Sequence, residues 1–293
     1  MDKDVLPMDK FHQSPNVTVG EVNLKVKDLQ NTVSFYETVI GLKVLERTAE
    51  RTVLTADGVT ALLSLEQPKD IIPLAGRYSG LYHFALLLPK RADLAVFLRH
   101  LIQSGYRFGA ADHYVSEAIY ITDPEGNGIE IYRDRPSSEW KWENGFVEMA
   151  TVELDAEGIL KESSEPWNGL SAGTIMGHIH LHVGDLKQTE QFYNDVLGFK
   201  TVSYYPQAAF VSTGGYHHHI AINTWKGAGV PTPPQNMVGL NWYTIVFPDE
   251  TARQKVISQL EQFGASVKKE SEGYMTSDPA GNQIRLVLGS KGA

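Results

Sequence analysis

KVKDLQNTVSFYETVIGLKVLE, residues 25–46, returns as HVGDLKQTEQFYNDVLGFKTVS at residues 182–203. Asp28 and Asp185, Phe35 and Phe192, Tyr36 and Tyr193, and Gly41 and Gly198 coincide at one offset of 157. Each copy reads as a strand, an Asp helix N-cap, an amphipathic helix and a glycine stop. A second pair follows. GLYHFALLLP from Gly80 resembles GLNWYTIVFP from Gly239, each leading into a helix that ends near Gly105 or Gly264. Both then reach one turn, DPEGNGIEIY from Asp123 and DPAGNQIRLVL from Asp278. Its Asp-Pro-x-Gly-Asn composition suits a link between two strands.

The chain therefore divides into four modules, 17–66, 80–134, 176–225 and 238–288, each a strand, a helix and three further strands. That pattern predicts an α+β protein. Modules one and three resemble each other, as do two and four, so a two-module unit has duplicated. The stretch 135–175, polar and rich in Trp, Glu and Ser, links an N-terminal half (17–134) to a C-terminal half (176–288).

Composition narrows the function. The 293 residues are 42% hydrophobic and 21% charged, and no run is long enough to span a bilayer. The N-terminal MDKDVLPMDKFHQS lacks the apolar core of a signal peptide, so a cytoplasmic location is the default expectation. A net charge of −9 argues against a nucleic-acid partner, which would call for a basic patch. The absence of cysteine excludes disulfides, thiolate nucleophiles and sulfur-ligated metals. Any metal must be held by nitrogen and oxygen.

A fourfold βαβββ repeat carrying "DL…FY…VLGF" and "DPEGN" signatures resembles the vicinal oxygen chelate superfamily. That family includes glyoxalase I, bleomycin-resistance proteins and extradiol ring-cleaving dioxygenases. The resemblance covers residues 17–288 and implies two cupped mixed sheets with the helices outside. It also implies metal ligands on the first and last strands of each module. Those positions fall here on Glu21, His83, His178 and Trp242, and on Glu130 and Arg285. In GHIHLHV, the family spacing of seven residues before the helix-start Asp leads from Asp185 to His178; His180 is the runner-up ligand. A lone strand histidine is ordinarily a hydrogen-bonded core residue. Glu130, inside the apolar GIEIY, is harder to explain without a partner, since a buried carboxylate is costly.

The resemblance thus implies a metal set of His83, Glu130 and His178, the two-histidine, one-carboxylate triad of non-heme Fe(II) oxygenases. Mn(II) or another divalent ion suits the same donors. Two-domain extradiol dioxygenases usually draw their ligands from modules three and four; here they fall in modules two and three. Pairing module two with three, and one with four, gathers all three in one cup. Glu21 and Arg285 are then expected to form an ion pair in the other.

GGYHHHIAINTW, residues 214–225, places three histidines in a row. Read as strand, His218 faces one way and His217 and His219 the other, so the three do not converge on one ion. The segment resembles the family pattern HH-x-(I/V)-A-F, which implies an acid/base role for His218. Tyr120, ten residues before Glu130, matches a family tyrosine that donates a hydrogen bond. His113 matches a pocket histidine when a two-residue gap is allowed, and His180 joins it as a substrate-binding candidate. His217 and His219 are expected to bond the backbone or line the far wall.

The function implied is extradiol cleavage of a catechol-type aromatic by O₂ at Fe(II). The partners are then a small aromatic substrate and O₂, with no nucleic acid and no membrane; homo-oligomer formation is left open. Two alternatives remain. A glyoxalase-like lyase or isomerase would need a fourth protein ligand, for which His180 or His218 is the candidate. A metal-free binder that sequesters an aromatic or antibiotic would have little use for an intact triad.

Overall fold

The computed structural model describes residues 10–289. Module one comprises β1 (Thr18–Lys25), α1 (Leu29–Phe35), a wide turn (Tyr36–Ile40), β2 (Lys43–Arg47), β3 (Arg51–Thr55) and β4 (Leu63–Glu66). Module two has β5 (Gly80–Leu87), α2 (Arg91–Ser104), β6 (Gly109–Asp112), β7 (Ser116–Thr122) and β8 (Gly128–Asp134). The intervening stretch adds a short hairpin, β9 (Trp142–Glu143) with β10 (Phe146–Val147), and α3 (Ala156–Leu160). Module three contains β11 (Ile175–His182), α4 (Leu186–Gln191), β12 (Lys200–Tyr205), β13 (Ala208–Ser212) and β14 (Ile220–Asn223). Module four contains β15 (Gly239–Phe247), α5 (Glu250–Phe263), β16 (Lys268–Glu270), β17 (Gly273–Ser277) and β18 (Gln283–Leu288).

The strands form two eight-stranded mixed sheets. One runs β16-β17-β18-β15-β1-β4-β3-β2 and joins modules four and one; the other runs β12-β13-β14-β11-β5-β8-β7-β6 and joins three and two. Each is stitched at its centre by antiparallel first strands, β1 with β15 and β5 with β11. The fold class is the α+β architecture the repeats imply.

The repeated signatures interlock within each half of the chain. Asp28 and Asp185 cap their helices by accepting the backbone N–H of Asn31 and Gln188. The tyrosine of each FY pair reaches the turn of the following module. Tyr36 donates to Asp123 at 2.9 Å and Tyr193 to Asp278 at 3.1 Å. Asp123 also accepts the N–H groups of Glu125 and Asn127, and Asp278 those of Ala280 and Asn282. So modules one and two, and three and four, are joined through these turns, while the sheets join modules across the halves. One core of buried apolar side chains, from Val22 and Leu24 through Phe84 and Ile179 to Leu286, runs through both sheets.

The cup of modules one and four departs from expectation. Arg285 does not pair with Glu21. Its guanidinium lies 3.9 Å over the Trp242 ring and reaches Glu272 (3.1 Å) and Glu270 (3.5 Å), while Glu21 faces Arg51 at 3.5 Å. Stacking on the indole aims Arg285 at the acids of the β16–β17 hairpin.

Candidate metal centre and active-site pocket

His83, Glu130 and His178 lie on three adjacent central strands. On parallel β5 and β8, His83 stands opposite Gly128 and Ala85 opposite Glu130; on antiparallel β11, His178 stands opposite Ala85. A β-bulge aims His178. Met176 opposes Leu86 and His178 opposes Ala85, leaving Gly177 as an extra residue. A Cβ at Gly177 would overlap the Tyr132 hydroxyl, so only glycine leaves Tyr132 its place. On β8 a Cβ at Gly128 would overlap the Tyr82 carbonyl.

The three ligand atoms converge. His83 Nε2 lies 3.0 Å and His178 Nε2 3.2 Å from Glu130 Oε2, and the two nitrogens are 3.4 Å apart. All three residues are buried. With Glu130 ionised, hydrogen bonds alone leave this triangle strained. If both rings carry Nε2–H, each donates to Glu130 but the two N–H groups confront each other. If one is bare, its lone pair confronts the carboxylate. A cation at the centre satisfies all three contacts together. With metal–ligand bonds of about 2.0–2.2 Å, donor separations of about 3.0 Å (right-angle) to 3.4 Å (tetrahedral) follow, so the set fits one first-row divalent ion. Burial pushes His178 down to about 4, which keeps a lone pair available at neutral pH. Burial alone would raise Glu130, but His178 and His83 hold it well below the usual carboxylate range.

Above this triangle opens a cavity of about 210 Å³. His218, Tyr120, His113 and His180 all line it. The His218 ring lies 4.1 Å from that of His178, and burial, reinforced by repulsion from His178, lowers its basicity. Burial and then Glu130 raise Tyr120 well above the ordinary phenol value, so it remains a proton donor. Its hydroxyl lies 2.5 Å from His113 Nε2, while His113 Nδ1 donates to the Ala150 carbonyl at 2.6 Å. His180 stands outside the triangle: Asn223 Nδ2 donates to its Nε2 at 2.8 Å. The Asn223 Oδ1 in turn accepts from His182 Nδ1, also at 2.8 Å.

The histidine run differs from the alternating strand expected. His217–His219 precede β14 in a turn, free of strand alternation. His217 Nδ1 and His218 Nδ1 lie 2.8 Å apart, so these neighbours face each other. His217 Nε2 donates to Asp134 at 2.8 Å, and His219 Nε2 donates to the Phe11 carbonyl at 3.1 Å.

Sequence reading missed two walls of the pocket. Tyr82, Phe210 and Trp225 form an aromatic side, and Met149–Thr151 of the linker close another. The linker is not a mere spacer. Arg91 at the start of α2 binds Glu117 in a bidentate pair, with contacts of 2.9 Å, and reaches Glu162 (2.7 Å) and Asp155 (3.5 Å). Asp134 was also missed, because nothing in the sequence pairs the end of β8 with residue 217.

This fold and this site define a cupped βαβββ protein with a three-donor centre. Residues 18–131 and 175–286 match the model of the Glyoxalase/Bleomycin resistance protein/Dioxygenase superfamily, and the chain belongs to that superfamily. It is 42% identical over 287 residues to a catechol-2,3-dioxygenase of Bacillus subtilis (strain 168), covering 96% of this chain and all of that one. Among solved structures, a putative dioxygenase from Bacillus subtilis overlays with a TM-score of 0.66 at 13% identity, covering 94% of this chain and 86% of that one. Glyoxalase I from Zea mays overlays at 0.55 and 16% identity, over 93% and 92% of the two chains. These likenesses show the fold. No helix among the described residues is long and apolar enough to cross a membrane.

Proposed function

We propose that this protein is an extradiol ring-cleaving dioxygenase that opens a catechol-type aromatic with O₂ at an Fe(II) centre held by His83, Glu130 and His178. The observation that carries the reading is the 3.0–3.4 Å triangle of donors at the floor of a cavity that His218 and Tyr120 also line. The full-length likeness to a catechol-2,3-dioxygenase supports it. When bound, the ion supplies the redox chemistry and the Lewis acidity that let a catechol and O₂ react; Mn(II) suits the same donors.

The chain's own residues do the rest. Tyr82, Phe210 and Trp225 hold the aromatic ring and exclude water. His218 accepts a phenolic proton and later returns it. Tyr120, whose hydroxyl rests on His113 Nε2, donates a hydrogen bond to a substrate oxygen by turning its O–H away from that ring, and His113 holds it in reach. No lining residue of the described pocket is Lys or Arg, so the site favours uncharged catechols over carboxylated ones. A glyoxalase-like lyase would need a fourth ligand, and the cluster among the described residues contains three.

The test is anaerobic reconstitution with Fe(II), addition of catechol and then O₂, with the yellow ring-opened product followed by absorbance. Prompt product in the wild type and none in His83→Ala is expected. No product despite stoichiometric iron would overturn the reading.

A further inference from the structure

We propose that Asp134 and His217 are positioning residues that fix the tautomer and orientation of His218 through an unbroken chain of hydrogen bonds. The inference deepens the proposed function, since His218 is the residue that reading assigns to proton transfer.

The chain is written in distances. Asp134 Oδ1 lies 2.8 Å from His217 Nε2, and His217 Nδ1 lies 2.8 Å from His218 Nδ1. A carboxylate only accepts, so His217 carries its proton on Nε2. If that is its only proton, Nδ1 is bare and His218 donates the proton between the rings from its own Nδ1; a doubly protonated His217 would donate instead, and the tautomer of His218 distinguishes the two. With the single proton, His218 Nε2 is left with its lone pair, and His218 lines the cavity beside His178. The carboxylate at one end thus decides which His218 nitrogen is bare at the other.

The surroundings hold this arrangement rigid. The His217 ring is fully buried, 4.0 Å from that of Tyr216 and 5.1 Å from that of Trp140. Tyr216 donates to Asp134 at 3.3 Å, and its hydroxyl shares a 2.8 Å hydrogen bond with Tyr132. Asp134 ends β8, the strand that carries Glu130, while His217 precedes β14. The chain therefore ties the acid/base histidine of module three to the ligand strand of module two.

Histidine ¹⁵N NMR on the full-length chain with Zn(II) added tests the proposal without reference to turnover, with His218→Gln identifying the His218 signals. The wild type is expected to show His218 protonated on Nδ1 and bare on Nε2. Protonation on Nε2, or averaging between tautomers, would overturn the proposal. In Asp134→Asn the amide can turn its N–H toward His217 Nε2 and reverse both rings. His218 should then switch tautomer, with kcat down roughly a hundredfold and KM little changed. Asp134→Glu should restore the wild-type tautomer. Unchanged tautomer and kcat in Asp134→Leu, which offers His217 no acceptor, would also refute the chain. Expected tautomers in a protein that opens no ring would refute the reaction and support the chain; ring opening with the opposite tautomer would do the reverse.

Discussion

A carboxylate between two imidazoles, as Glu130 is, holds its place only if something positive shares the space. Glu130→Gln keeps the shape, removes the charge and offers N–H groups where a cation needs a lone pair. Iron content after gel filtration should fall from stoichiometric to near zero, a larger loss than the roughly 10–100-fold that removing an outer-shell partner costs. Tyr120→Phe should instead retain iron and lower kcat by roughly a hundredfold, because only a hydrogen bond that strengthens during reaction is lost. Iron content and steady-state kinetics together distinguish the two. Individual residues were unevenly legible. The positions of His83 and Glu130 came from the family resemblance, which expects ligands on the first and last strands of each module. His217 was misread because the alternation rule was applied to residues that precede the strand.

At the scale of elements, the turn and the bulge explain what the pattern could not. The Gly177 bulge is invisible to a periodicity argument, yet without it β11 would present a different residue toward His83 and Glu130. The linker looked like a spacer because its contacts depend on a buried ionic network. Glu117 on β7 is fully buried among Arg91, Arg133 and Arg135. Burial alone would raise its pKa, but Arg91 and the other two guanidinium groups hold it below its ordinary value of 4.5. Its folded value is the depressed one, so its contribution is present above 4.5 and is lost as the pH falls from there through the folded value. Urea unfolding of the wild type should therefore weaken below that pH, and Glu117→Gln should lack this component. The same substitution should cost about 1–3 kcal/mol at neutral pH, because three partly exposed guanidinium groups lose the buried anion they share. Equal acid sensitivity in both proteins would contradict this account. The aromatic wall carries its own prediction. A carboxylated catechol, left without a cation, should bind at least about tenfold more weakly than catechol itself in competition assays.

Across the whole molecule, the four modules were legible because Asp28, Tyr36, Asp123 and their repeats perform fixed physical tasks: capping a helix, closing a turn and joining the two by a hydrogen bond. The polar contacts of the other cup were not, since Trp242 draws Arg285 away from Glu21 in a manner that pairwise charge reasoning omits. The central claim concerns one ion held between the two halves of the chain, His83 and Glu130 from one and His178 from the other. Anomalous diffraction at the iron edge, from crystals loaded with Fe(II) under anaerobic conditions, tests it most directly. The account predicts a single peak bonded to His83 Nε2, His178 Nε2 and Glu130 Oε2, with no fourth protein ligand. A peak bonded to His180 or His218 in place of any of these, or no peak at the triangle, would contradict it.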